Sequence, residues 1–247
     1  MKKIFPVFMS FFLASVSVGF AEEAQMIHQR LCERPNRIYL GPEYLFFQVD
    51  THVKEIHVEG DRSFWGLRLG YEYLKPQAFY GAAELFALNS GHGFSVSSPD
   101  VFYRGKGSAG FGSIQTRFGY AFSSSRALFT PFLGLGIYAL SKHVHNGFEE
   151  SFGYLAGGLR SQFECASFCS IGLNAEIFRS LGVRQLVKLG SEKTVRHTNG
   201  WGCNVGLPVT VRLSRGWDLQ IVPYFLRLLF AETQNGIGAS LLFSYRF

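Results

Sequence analysis

An antiparallel, up-and-down barrel that crosses a membrane is the fold predicted for this all-β chain, and three features of its 247 residues carry the expectation. Apolar residues recur at every second position through most of the chain after residue 37, which is the period of a strand with one apolar face. The connections between these runs are alternately long and short. The composition pairs 28 Gly with 26 Phe, 11 Tyr and 3 Trp, while only 17% of residues are charged. Disorder and fibrous repeats are excluded by such a balance. Four cysteines are too few for a disulfide-dense scaffold, and no stretch beyond the N-terminus holds 18 consecutive apolar residues, so helical membrane spans are not expected.

Residues 1–21 read as a cleaved signal peptide. Lys2 and Lys3 precede the apolar run from Ile4 to Phe20, and the small residues Gly19 and Ala21 stand three and one positions before Glu22. Cleavage after Ala21 lowers the net charge from +6 to +4. No Cys follows the cleavage point, so a lipid anchor is not expected. Residues 22–37 form a leader, and 38–247 form the barrel.

Ten alternating runs are predicted, at 38–49, 63–74, 78–88, 109–122, 127–140, 151–164, 169–181, 200–213, 217–230 and 236–247. In the second, Trp65, Leu67, Leu69, Tyr71 and Tyr73 share one face, while Ser63, Gly66, Arg68, Gly70 and Glu72 occupy the other. The connections span 13, 3, 20, 4, 10, 4, 18, 3 and 5 residues, every odd one longer than every even one. Tight turns on one side and long loops on the other, with an even strand count, are how transmembrane barrels are built. At 11 to 14 residues, each run is long enough for a tilted strand to cross a bilayer, which takes roughly 9–11. Trp65, Tyr154, Phe178 and Trp201 are expected in an outer aromatic girdle, and Tyr71, Tyr73, Phe79, Tyr120, Phe122, Phe129 and Phe163 in an inner one. Pro42, Pro131, Pro208 and Pro223 interrupt the runs. Bulges are expected to absorb them, or else the first and ninth runs are partly loop and the barrel has eight strands.

In the last run Ile237, Ala239, Leu241, Phe243, Tyr245 and Phe247 alternate strictly and end on a terminal Phe. Here the chain resembles the bacterial outer-membrane β-barrel family, closest in size to the small OmpA/OmpX type. That resemblance implies an outer-membrane location with both termini periplasmic. It also makes Leu241, Phe243, Tyr245 and Phe247 the signal read by the barrel-insertion machinery.

Parity places Arg68, Arg117, Arg160 and Arg212 on the inner face against Glu43, Glu72, Glu84 and Glu176, with Gln115, Gln162, Asn174 and Asn204 among them. Balanced charges away from bulk water must pair, so a side-chain-filled lumen with an internal ion-pair network is expected rather than an open pore. Inner-face glycines such as Gly66, Gly70, Gly119, Gly134, Gly136 and Gly206 are read as leaving room for the arginines.

Candidate chemistry is sparse. His143 and His145 with Glu149 and Glu150 could hold a divalent metal or supply a base, but a His-x-His pair in a polar loop is weakly specific. His197, Thr198 and Asn199 faintly resemble the His/Ser arrangement of lipid A deacylases, yet adjacent strand residues point to opposite faces. Asp50, Asp61 and Asp100 are read as isolated loop residues, without the acidic pair or acid–histidine dyad of omptin-type proteases. No cofactor, metal or catalytic set is therefore expected. Cys165 and Cys169 flank a tight turn and are candidates for a local disulfide. Cys203 is read as a buried thiol, and Cys32 as the one available for an intermolecular bridge. Between Gly182 and Asn199, Arg184, Lys188, Lys193 and Arg196 outnumber Glu192, giving a basic surface suited to lipopolysaccharide phosphates or to an acidic extracellular ligand on a host surface. No nucleic-acid partner is expected. The leading reading is a non-enzymatic structural or surface-displayed binding scaffold. A barrel enzyme hydrolysing lipid A or protein through loop histidines, or a narrow pore for small solutes, stands as the alternative.

Deleting Phe247 is expected to leave unfolded protein in the periplasm while the truncated chain still refolds in detergent. Delivery of the truncated chain to the cell surface at the normal level would refute the assignment.

Overall fold

In the computed structural model the chain closes into a single antiparallel ring of strands. The structure describes residues 31–247 apart from 54, 92–94, 98–101, 104–107, 125, 143–146, 190–191, 215 and 231–232. The signal-peptide assignment and most of the leader lie outside the described residues.

The strands are β1 (Asn36–Val53), β2 (Ile56–Leu74), β3 (Ala78–Ser90), β4 (Ser95–Ser97), β5 (Phe102–Tyr103), β6 (Ala109–Ser123), β7 (Ala127–Lys142), β8 (Gly147–Ala166), β9 (Cys169–Leu189), β10 (Glu192–Thr198), β11 (Trp201–Gly206), β12 (Val209–Ser214), β13 (Trp217–Leu229) and β14 (Thr233–Arg246). β11 and β12 form one stave, so the ring has ten staves and not eight. The short β4 and β5 extend from β2, and β10 folds back on β9. β14 pairs with β1 to close the ring, and the backbones of Asn36 and Phe247 exchange two hydrogen bonds at its lower edge.

Two long stretches expected to be loops are strand. β1 and β2 stay paired through Val53 and Ile56, and β9 continues to Leu189 with β10 beside it. The reason is burial: Val49, Thr51, Val53, Ile56 and Val58 line one face of the first hairpin and are buried, which keeps the two-residue period going past the polar residues between them. In β9 the pattern changes phase. Below Gly182 the inward residues are Glu176, Phe178 and Ser180, while above it they are Val183, Gln185 and Val187. The register shifts by one residue at this point, and Gly182 adopts a φ of 137°, a conformation that other residues rarely take.

The prolines do not sit at bulges. β1 keeps one register with β14 on both sides of Pro42, with Gly41 and Pro42 left out of the ladder, and β6 and β7 do the same across Pro131. Pro208 separates β11 from β12, again without a shift against β9, and Pro223 pairs with Ala239. Register shifts occur instead beside Gly153, Cys165 and Leu213. A missing donor removes a single bond, whereas a shift would turn every following side chain to the other face.

Outward-facing apolar residues form a continuous belt that includes Leu69, Ile114, Leu133, Leu155, Ile177 and Leu241. Trp65 and Trp201 stand at its upper margin, and Tyr71, Phe79, Tyr120, Phe122, Phe129 and Phe163 at its lower margin. Tyr154 and Phe178 do not belong to the upper girdle. Both point inward and are buried, because the outward phase of their strands is held by Leu155 and Ile177.

The interior glycines make room for aromatic rings more than for arginines. Tyr39, Tyr154, Tyr224 and Phe178 each lie over a glycine directly opposite on the next strand: Gly70, Gly136, Gly238 and Gly202 respectively. A β-carbon on any of these glycines would fall inside the ring. Each pair locks the relative height of two staves, a cross-strand interlock that a larger residue would abolish.

Candidate functional site

The inner face of β1 states the organisation of the lumen. From the end where Asn36 meets Phe247 it reads Arg37, Tyr39, Glu43, Leu45, Phe47, Val49, Thr51 and Val53, polar in the lower half and mostly apolar above. The neighbouring strands change at the same height.

In the lower half the charges interlock. Arg68 donates through Nε and Nη2 to the two carboxylate oxygens of Glu43 at 2.5 and 2.6 Å, and through Nη1 to Glu84 at 3.0 Å. Arg117 donates to Glu176 at 3.2 Å and approaches Glu84 at 4.0 Å, while Gln115 donates to Glu176 at 2.7 Å. Arg160 pairs with Glu72, which also faces Arg37 at 3.5 Å. Two tyrosines of the glycine interlocks tie the network to the wall: Tyr39 donates to Glu84 at 2.7 Å and Tyr224 to Glu43 at 2.5 Å. The Glu43–Arg68 contact is diagonal, since Glu43 lies opposite Gly66 and Arg68 opposite Gly41. Arg212 is set apart near the terminal end, where it pairs with Glu164 rather than with any of the four glutamates. Arg246 with Asp218 at 3.1 Å completes that rim. Arg212, Asp218 and Arg246 line a wider mouth of about 680 Å³, whereas the cavity left among Arg68, Arg117, Arg160 and their glutamates is about 60 Å³, lined by Asn174 and Asn204 among others. That is room for a couple of water molecules and not for a solute.

The upper half is apolar. Phe47, Phe64, Phe86, Phe111, Tyr138, Phe152, Tyr154 and Phe178 pack across the axis with Leu45, Leu226 and Leu228. Tyr138 lies 5.2 to 6.0 Å from the rings of Phe86, Phe111, Phe152, Tyr154 and Phe178, a hub at mid-axis. Where the two halves meet, Arg68 lies 5.4 Å from the ring centres of both Phe86 and Tyr224.

Above the belt one carboxylate is buried without a cation beside it among the described residues. Glu150 points inward three residues beyond the outward-facing Gly153 and accepts hydrogen bonds from Gln185 at 2.7 Å and Gln234 at 3.1 Å. Burial pushes its carboxyl up to about 7, with the two amide donors opposing the shift. Glu149, on the other face, pairs with Lys188 at 2.8 Å.

Neither a family model nor a curated protein sequence matches the chain. Among solved structures, the outer membrane protease OmpT from Escherichia coli superposes with a TM-score of 0.56 at 10% identity, covering 87% of this chain and 97% of that one. Weaker likenesses are the translocator domain of the autotransporter NalP from Neisseria meningitidis, with a TM-score of 0.44 at 11% identity over 98% and 96% of the two chains, and Ail, the attachment invasion locus protein of Yersinia pestis, at 0.39 and 11% over 86% and 97%. The fold is that of the bacterial outer-membrane β-barrels.

Within this outer-membrane barrel fold, the eight inner-face charges named from parity all point inward, and seven of them meet one another. Arg37, Glu164, Asp218 and Arg246 also join ion pairs there, and the same parity count along their strands would have found them. Leu241, Phe243, Tyr245 and Phe247 all face outward on or just beyond β14. Cys165 and Cys169 are free thiols and no bridge joins them: Ala166 is the cross-strand partner of Cys169, and Cys165 sits at the register shift. Cys203 is half-buried and Cys32 exposed. His143 and His145 lie outside the described residues, as do His92 and Asp100. His197 is exposed on β10, opposite Arg184. Asp50 is not isolated: with His52 it makes an acid-x-histidine step, and the hairpin brings His57 beside both.

Replacing Arg68 by Ala strands Glu43 and Glu84, and the barrel is expected to lose about 3 kcal/mol in urea unfolding from detergent or liposomes. An unchanged midpoint would show that the network does not stabilise the wall. Glu150 adds a pH dependence. Its carboxyl is raised on folding from 4.5 to about 7, so between those values the folded state holds the proton that the unfolded state has lost. Stability therefore falls as pH rises through this window, by up to ~3 kcal/mol, and the full cost is present above pH 7. Melting measured from pH 5 to 8 should show this decline, and Glu150→Gln should flatten it; equal slopes for the two proteins would remove Glu150 as the cause.

Proposed function

We propose that the chain is exported by a cleaved signal peptide at 1–21, inserts in the outer membrane with both termini periplasmic, and serves as a non-enzymatic, closed scaffold that displays its hairpins at the cell surface. The observation that carries this reading is the aromatic packing across the upper lumen, which fills the axis above an ion-paired lower half. A wall filled in this way resists solutes. The display half of the reading rests on the strands that continue past the belt as paired hairpins, a stiff platform with polar outward faces.

The outer hairpins supply the binding surface. Arg179 lies 5.3 Å over the Trp201 ring at the upper margin of the belt, where lipid phosphates stand, and Arg184 is exposed just above it. Lipopolysaccharide is the bland partner for such a basic margin and an acidic extracellular ligand the alternative. Likeness to a protease in fold does not bring proteolysis here. Among the described residues, the histidines of the upper end that belong to an acid–histidine group stand on an outward hairpin face, away from any enclosed cleft.

In planar bilayers the reconstituted protein is expected to give no steady current. Large, stable single-channel steps from the unmodified chain would replace the scaffold reading with a pore.

A further inference from the structure

The tip of the first hairpin carries four metal-type donors on one face. Asp50 and His52 lie two apart on β1, so their side chains share a face. Across the ladder His57 is the direct partner of His52, and Glu59 the direct partner of Asp50. The opposite face, with Thr51, Val53, Ile56 and Val58, is buried in the apolar packing of the upper barrel. Arg196 from the β9–β10 hairpin donates to the carbonyl oxygen of His52 at 2.5 Å, which pins the strand from outside. The backbone under the four donors is thus held from both sides.

Their geometry is already close to that of a ligand set. The imidazoles of His52 and His57 stack with ring centres 4.4 Å apart and planes 9° from parallel. Asp50 Oδ1 lies 2.8 Å from His57 Nε2, and one donor atom from each of Asp50, His52 and His57 falls within 4.8 Å of the others. Ligand atoms about 2.0–2.1 Å from a tetrahedral ion stand roughly 3.3 Å apart, inside that spread, so side-chain rotation alone brings the set together.

We propose that this face is a divalent transition-metal site, with Asp50, His52 and His57 as ligands and Glu59 positioned to join them. Two imidazoles and a carboxylate select zinc, copper or nickel over calcium or magnesium, which require oxygen donors. The outward position leaves at least one coordination place open to water or to a group from outside. The site is separate from the lumen, so it stands whether or not the barrel conducts.

The test uses the full mature chain without a histidine tag, refolded in detergent and titrated with Zn²⁺, Ni²⁺ and Ca²⁺ by calorimetry. One Zn²⁺ per chain at micromolar affinity is expected, with Ni²⁺ also bound and Ca²⁺ not. His57→Ala and His52→Ala should each lower Zn²⁺ affinity about tenfold or more, and Glu59→Gln less. His52 and Glu59 are exposed and His57 half-buried, and an unchanged gel shift on boiling checks that each variant folds. The proposal is overturned if the unmodified chain binds no Zn²⁺, if Ca²⁺ binds equally well, or if the double variant of His52 and His57 retains full affinity because the ion sits on other histidines.

Discussion

A closed sheet has no edges, and a ring of ten staves encloses a space that only side chains can fill; everything else in this protein follows from how that space is packed. Each stave must send alternate residues inward, so the inner face cannot be uniformly apolar without a matching loss elsewhere in the pattern. The chain resolves this by height. Ion pairs occupy the half nearest the termini, and rings occupy the half beneath the hairpins.

Both halves lean on the same device. An aromatic ring laid over a glycine on the adjacent stave fixes vertical alignment, and in two of the four cases the ring's hydroxyl continues into the charge network at Glu84 or Glu43. Buried carboxylates are tolerated because each of these two also meets Arg68, so that desolvation is offset by several short bonds at once. Glu150 is the exception, held by amides alone, and it lies where protonation is the cheaper way to neutralise it.

Much of this was legible from parity. Ten runs, their outward apolar faces and the eight inner charges all follow from counting every second residue. The count failed in identifiable places. At Gly182 a bulge inverts the phase, so the inward Val183, Gln185 and Val187 sit on positions that the lower half of the strand would turn to lipid. Tyr154 and Phe178 are a different case: they share the parity of the inward Arg160 and Glu176, so the count itself places them in the core although their chemistry suits a girdle. The step from Asp50 to His52 stands in the sequence as Asp50-Thr51-His52, against the reading of Asp50 as isolated, whereas His57 joins it only through strand pairing past the belt: 50 and 57 become neighbours when the hairpin runs to Val53 and Ile56.

The ring's connectivity also sets a kinetic order. Nine of its ten interfaces join staves that follow one another along the chain, and the tenth brings Arg37 opposite Arg246. Forming the nine costs little loop entropy, whereas the last must gather the two ends of the whole barrel before any of its bonds is made. That seam also carries a gap in its ladder at Gly41 and Pro42, on either side of which its register is the same. A curled, unsealed sheet is therefore the natural late species on the folding path, and the slowest step is the one in which its first and last strands find each other.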